Sequence, residues 1–579
     1  MAVFNSIRVA GSLVVLLCFV SVAKGHVEHG RLLPVKAGKL QNPLEASSQN
    51  LRAGQIAFEK SCSGCHGKDG KANTPVALKL AVRPTNLTDR LMDTMRDGEL
   101  WWVETHGVSP VMPAFAKALS SDQRWQIVLW VKDLQRQQRA AERAKMGSDF
   151  DWDLPAGFPF PNVPADNPVT AAKVTLGRYL FYDKRLSANQ TQSCATCHQQ
   201  RYAFADARGR GIGSTGEVHP RGAMSLANVA YSPVLTWANP GMRKLEQQAL
   251  VPIFGDHPVE MGMEGKEDVL IRRLRDERYE QLFNEAFPSD QDPFTLANIV
   301  KAIASFERTI ISGRSPYDQY RTGQNSKAIS PSAKRGEALF YSERAECFHC
   351  HGGFNFTGTT DYLDKGFAEV EFHNNGLYNI KGPISYPSDN PGIYEFTQDP
   401  ADVGRFKAPS LRNIAVTAPY MHDGSIQTLA EVIDHYSAGG RTIKSGPYAG
   451  VGADNPNRSE FVKPIGFSGK EKNDLLAFLN SLTDQELLVD ERFSDPWLKE
   501  SDKPKHILRG VVRDIDLKAA TLLIKHGPVD TFMPAMTMEY HLVDPSDSKR
   551  ISVGETVQGY VSRRGDQYWL DQVRPIAKE

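Results

Sequence analysis

The chain has 579 residues, several times the size of an ordinary domain, so one core cannot account for it and several domains are required. Its 68 lysines and arginines equal its 68 aspartates and glutamates, which gives no polybasic reason for a nucleic-acid partner or an anionic membrane surface. With 41% hydrophobic residues, 46 glycines and 35 prolines, it can build cores joined by many ordered loops.

Residues 1–25 read as a secretory leader: Arg8 at the basic end, an apolar run over 9–22, and the small residues Ala23 and Gly25 before His26. That run is shorter than the roughly 20 residues a helix needs to cross a bilayer. An uncleaved anchor is the alternative. Cleavage places a mature chain in the periplasm, beyond the inner membrane, with Cys18 removed and six of its seven cysteines kept.

Those six form three groups of one pattern: Cys62-Ser-Gly-Cys65-His66, Cys194-Ala-Thr-Cys197-His198 and Cys347-Phe-His-Cys350-His351. In C-x-x-C-H two thiols add to the vinyl groups of a haem and the adjoining imidazole turns onto the iron. Disulfides give no reason for a histidine after every second cysteine, and zinc needs its ligands in fours. The expectation is three covalently bound haem c groups.

Around the first motif, 51–58 and 121–135 carry helical patterns, the second through Trp125, Ile127, Val128, Trp130 and Val131. Between them Met112, on a loop stiffened by Pro113, is the expected sixth ligand of the His66 iron, a pairing that closes the iron to substrate. Met92 and Met95 are weaker rivals inside a helix-like stretch. This segment resembles a class I cytochrome c domain, which implies electron transfer without chemistry. A polar stretch over 135–153 and a Pro-rich one over 154–168 read as the separator from the next module.

From about 169 to 493 short helices alternate with long loops. No Met-Pro loop accompanies the second motif; Met224 is the available thioether, with a core contact as its competing reading. Further on stand Leu226-Ala-Asn-Val-Ala230, Trp237, Leu245-Glu-Gln-Gln-Ala249, Pro258-Val-Glu-Met-Gly262, Phe372-His-Asn-Asn-Gly376, Pro409-Ser-Leu-Arg-Asn-Ile414 and Ala418-Pro-Tyr-Met-His-Asp-Gly424. In order and spacing these resemble the bacterial di-haem cytochrome c peroxidase/MauG family.

The resemblance implies a peroxide site at the haem of His198, with Glu260 as the distal carboxylate, Trp237 between the two haems and Gln248 as a second distal residue. His257 is a rival or helper of Glu260. The third haem, held by His351, would take its other axial ligand from 429–436, where Tyr436 stands in place of the methionine of classical members, as in MauG-like enzymes; His435 is the neighbouring alternative. A hard anionic phenolate favours ferric and higher-valent iron. The resemblance also places a calcium ion at Thr417 and Pro419, although glycine replaces the family's asparagine near Arg221-Gly222, and it brings His422 near the haem pair.

After about 504 the hydrophobic period changes to 2, with strands expected over 506–512, 521–525, 538–543, 556–561 and 567–573. Five strands in this length fit a closed barrel of OB type. Met536 and Met538 share a strand face and His526 ends the facing strand; with Met533 they form a soft donor set that selects Cu(I) or Ag(I). His526-Gly-Pro528 and Met533-Pro-Ala-Met-Thr-Met538 resemble CusF-like copper/silver-binding domains, with Met533 where the family places a tryptophan over the metal. His26 and His29 offer a weaker copper site.

The expected architecture is multidomain. Three mainly α cytochrome c-like haem domains, at 45–145, 155–320 (peroxidatic) and 321–493, precede a small OB-type β-barrel at 506–577. The expected function is a periplasmic di-haem peroxidase/MauG-like oxidoreductase that reduces hydrogen peroxide. Its electrons would come from a donor cytochrome, a copper protein or a protein substrate. Classical peroxide detoxification and a non-catalytic electron-transfer and copper-handling protein are the alternatives.

Overall fold

The computed structural model describes residues 37–579 except 81, 109–111, 146–149, 369, 383, 499–505, 518, 530–531, 565–566 and 577–579. The leader, His26 and His29 lie outside the described residues. The chain divides into two compact units, 1–135 and 136–579.

In the first unit, helix α1 (Ser48–Ser61) is capped by Ser47, whose hydroxyl accepts the Asn50 N–H at 3.2 Å. It packs with α2 (Asp97–His106) and α3 (Ser121–Lys145) around Phe58, Leu100, Trp125, Val128 and Val131. Helix α3 does not stop at Gln135 as its polar continuation led us to expect. It runs on to Lys145, supported by Arg139–Glu142 at 2.6 Å and Gln138–Glu142 at 3.0 Å, pairs three and four residues apart on one face.

One helix crossing is built three times. A Cβ on Gly54 of α1 would lie 2.0 Å from the Gln126 carbonyl oxygen and 3.2 Å from Trp130 Cβ. In the second unit a Cβ on Gly177 of α4 (Ala171–Tyr182) would lie 1.9 Å from the Ala302 carbonyl oxygen and 2.9 Å from Phe306 Cβ of α5 (Leu296–Arg308). A Cβ on Gly336 of α6 (Pro331–Phe340) would lie at the same 1.9 and 2.9 Å from the Asp474 carbonyl oxygen and Phe478 Cβ of α8 (Gly469–Asn480), with α7 (Leu429–Ala438) packed beside them. Each crossing puts a glycine against backbone and an aromatic ring four residues on, so each C-x-x-C-H leaves a fixed two-helix frame. Gly336→Ala forces these backbones apart. It should cost about 1–3 kcal/mol, read as a lower unfolding temperature in the full chain.

The C-terminal strands β1 (His506–Asp516), β2 (Thr521–His526), β3 (Met536–Leu542), β4 (Thr556–Arg564) and β5 (Gln567–Pro575) close a barrel in the order β1-β2-β3-β5-β4. All pairs are antiparallel except β3–β5. The barrel is seated on the segment 486–493: Arg563 pairs with Glu486 at 3.2 Å, and Val489 packs both on the barrel core and on the cluster containing Phe204, Leu487, Leu488 and Phe493.

Candidate functional site

The three C-x-x-C-H motifs share one local construction. The cysteines flank a single helical turn, none of the six is paired in a disulfide, and each histidine ring is anchored through Nδ1. His66 Nδ1 lies 2.9 Å from the Thr85 carbonyl, and His198 Nδ1 lies 2.8 Å from that of Phe204. His351 Nδ1 lies 3.3 Å from Phe356 O and 3.1 Å from Pro409 O. A carbonyl only accepts, so Nδ1 carries the proton and the Nε2 lone pair is left for a metal. Burial lowers the pKa of all three, that of His351 to about 4, which keeps the imidazoles neutral as ligation requires.

In the first unit Met112 is half-buried and bridges Val108 through paired backbone bonds of 2.7 and 2.8 Å. Gly107, at φ 72°, makes that turn; a Cβ there would meet the Met112 carbonyl oxygen at 2.5 Å. Met92 and Met95 are instead buried in the helical core. Glu104, buried near Cys62, is pushed well above the carboxylate range by burial.

In the second unit one cavity of about 580 Å³ is lined by both remaining motifs, Cys194 to His198 and Cys347 to His351. Glu260, Gln248, Trp237, Met224 and Tyr436 line it, as do Thr417 and Pro419. The Glu260 carboxyl is raised to about 7 by burial alone. His257 is exposed and stands outside this wall. Trp237 is fixed by its Nε1–H donating to Gly222 O at 2.8 Å, edge-on to His422 with ring centroids 6.5 Å apart. His422 stacks on Phe406 at 3.7 Å.

Adjacent residues of α7 part company. Tyr436 turns into the cavity beside Cys347 and Cys350, its hydroxyl raised to about 12 chiefly by burial. His435 turns away from the cavity wall, with Nε2 3.0 Å from the Asn375 carbonyl.

Glu307 is a cavity residue that sequence reasoning missed. It lies at the C-terminal end of α5, buried, raised to about 8 by burial, and its Oε2 has no hydrogen-bond partner. Its signal was its register: Ile299, Ile303 and Glu307 are spaced by four along the buried face. His422 Nε2 is likewise buried without a partner on the same wall. Paired cysteines, an Nδ1-anchored histidine after each pair and orphaned polar atoms at one cavity fit covalently held haem.

In the barrel, His526 lies opposite Met536, and Met538 lies opposite Ile524, so the imidazole and both thioethers share one face. Met533 is buried, Met538 half-buried and Met536 exposed at its rim. Tyr540, two residues beyond Met538 on the same face, was not anticipated: its hydroxyl lies 2.7 Å from His526 Nε2 and 3.2 Å from Met533 Sδ. The donors suit a soft monovalent ion.

Comparison with known proteins follows these divisions. The family model for di-haem cytochrome c peroxidase matches residues 171–326, that for the copper binding periplasmic protein CusF matches 505–575, and that for cbb3-type cytochrome c oxidase subunit III matches 49–131. The chain is 33% identical over 374 residues to the cytochrome-c peroxidase IdrP1 of Denitromonas iodatirespirans, covering 61% of this chain and 92% of that protein. It is 33% identical over 355 residues to the methylamine utilization protein MauG of Methylorubrum extorquens, covering 60% and 86%. A solved structure of a MauG-like protein associated with microbial copper homeostasis is 48% identical, with a TM-score of 0.59, covering 60% of this chain and 100% of that one.

The chain therefore belongs to the di-haem cytochrome c peroxidase/MauG family. It is a peroxidase-type haem oxidoreductase that carries, in addition, a cytochrome c domain and a CusF-type copper-binding barrel. No helix among the described residues is long and apolar enough to cross a membrane.

Proposed function

We propose that this protein is a periplasmic, MauG-like enzyme that reduces hydrogen peroxide at the centre of His198 and draws the electrons from a protein partner. The observation that carries this reading is the single cavity bounded by both motifs, with a burial-raised carboxyl at one centre and a tyrosine rather than a thioether at the other. Haem c, when bound through Cys194, Cys197 and His198, through Cys347, Cys350 and His351, and through Cys62, Cys65 and His66, would supply the two electrons that break the O–O bond of peroxide and their exchange between centres.

The residues do the rest. Glu260 takes the proton from the near oxygen of peroxide and returns it to the far one, so that water leaves. A carboxyl near 7 suits both halves of that transfer. Gln248 orients peroxide by hydrogen bonding. Trp237, held rigid by Gly222, carries charge along the wall common to the two centres. Tyr436 would hold the haem of His351 through its phenol oxygen, which a bound cation would deprotonate although burial alone retains the proton. Such an anionic donor would favour oxidised iron, and the chemistry it would supply is retention of oxidising equivalents until an aromatic side chain of a partner gives up electrons. Met112 would hold the haem of His66 on its other side, closing that centre to substrate and leaving it electron transfer alone. The calcium reading rests on Thr417 and Pro419 and enters none of these steps.

A second reading, classical turnover with both electrons from a soluble donor, is favoured by the attached cytochrome c domain. Low-temperature EPR and a peroxide titration of the holoprotein separate the two. We expect one haem with a water or vacant face, and a two-equivalent state that outlives mixing by seconds when no donor is present. Three six-coordinate haems inert to peroxide would overturn both readings, and immediate decay without stored equivalents would leave the classical one. The copper setting of the 48% identical relative and the fused barrel support a place for this chemistry in copper handling.

A further inference from the structure

The soft-metal face of the barrel contains a competitor for the metal. His526 Nδ1 lies 2.6 Å from the Gly527 carbonyl, which can only accept, so Nδ1 bears the proton. Nε2 is then the one lone pair this ring can offer a metal, and the Tyr540 hydroxyl donates to it at 2.7 Å. The same oxygen lies 3.2 Å from Met533 Sδ, a second and weaker acceptor for its single proton.

Tyr540 cannot easily leave. Its ring is fully buried, shares the β3 face with Met536 and Met538, and has Tyr568 6.3 Å away, edge-on. A buried phenol deprived of its acceptor loses free energy unless it finds another. Metal entry at His526 therefore costs one buried hydrogen bond that the four ligands alone would not cost.

We propose that Tyr540 gates the soft-metal site: its hydroxyl competes with Cu(I) or Ag(I) for His526 Nε2 and weakens metal retention, so the barrel passes metal on rather than storing it. The ion displaces the hydroxyl proton from the lone pair without any change of oxidation state. The phenol stays protonated, and its O–H is left with the weaker acceptor Met533 Sδ, whose second lone pair is not used by the metal. The proposal rests on the CusF-type barrel and is independent of the peroxide reading.

The test is metal affinity of the full-length holoprotein. Cu(I) is partitioned against a chromogenic Cu(I) chelator, and Ag(I) is titrated in parallel, for wild type, Tyr540→Phe, His526→Ala and the double variant. Tyr540→Phe should bind both ions roughly tenfold more tightly, about 1.4 kcal/mol, and release them more slowly. In the His526→Ala background the gain should vanish, since the contested lone pair is gone. Unchanged or weaker binding by Tyr540→Phe, or a gain that survives His526→Ala, would overturn the proposal, because a merely structural tyrosine predicts one or the other.

A measurement on wild type guards against misfolding of the variant. Ultraviolet resonance Raman difference spectra with and without Ag(I) should show one tyrosine losing a strong donor hydrogen bond. No tyrosine change on saturation with Ag(I) refutes the gate.

Discussion

Glu260→Gln should lower the rate of peroxide consumption about 10²–10⁴-fold, the span usual for removing a positioned general acid–base group. Glutamine keeps the shape and the hydrogen-bonding reach of the side chain but can neither take a proton from one peroxide oxygen nor deliver it to the other. The pH dependence follows from the environment. Burial holds the Glu260 carboxyl near 7, so the form that accepts a proton grows as pH rises from about 6 to 8, and the wild-type rate should climb over that interval. The glutamine variant should lack that limb. Stopped-flow peroxide consumption at several pH values measures both. A variant that keeps the wild-type rate, or the wild-type pH limb, would remove Glu260 from the mechanism and return attention to Glu307 on the same wall.

Tyr436→Met should raise the midpoint potential of the His351 haem by an amount on the order of 0.1 V or more, within the roughly 0.8 V over which axial ligands tune haem. A neutral, soft thioether stabilises reduced iron where a hard anionic phenolate stabilises oxidised iron. The position lines the cavity, so a methionine there faces the same centre with a thioether in place of the phenol. Storage of two equivalents should then fail, while donor-driven peroxide reduction continues. Spectroelectrochemical titration reads the potential, and rapid-mixing spectra read the stored state. An unmoved potential would show that Tyr436 is not the ligand.

Much of this site could be read from residue order, for identifiable reasons. Covalent haem attachment demands fixed local spacing, so Cys62 to His66, Cys194 to His198 and Cys347 to His351 announce themselves without any tertiary information. Strand alternation is equally local, and it placed Met536 and Met538 on one face opposite His526, as the register now has them. What stayed hidden depended on partners far along the chain. Glu307 looks like one more glutamate in a helix until the cavity behind it is known, and Tyr540 becomes a metal-site residue only through contacts reaching 14 residues back to His526. The choice between His435 and Tyr436 also lay beyond local pattern, because neighbours on a helix differ by about 100° and only packing decides which one faces inward. The three glycine crossings have no sequence signature beyond a glycine in a helix, since each is defined by the opposing backbone.

The seat of the barrel links two modules by one short strap. Gln200, two residues beyond His198, donates to the Leu487 and Asp490 carbonyls at 3.0 and 2.8 Å, while Glu486 and Val489 of that strap face Arg563 and the barrel core. The copper module is accordingly not a detachable cartridge. Pulling it away bares an apolar side chain and an unpaired charge on the very ribbon that steadies the loop behind His198. Cutting the tail off and asking what the rest does interrogates a loosened machine, whereas point changes at the metal-binding face leave the bracing intact.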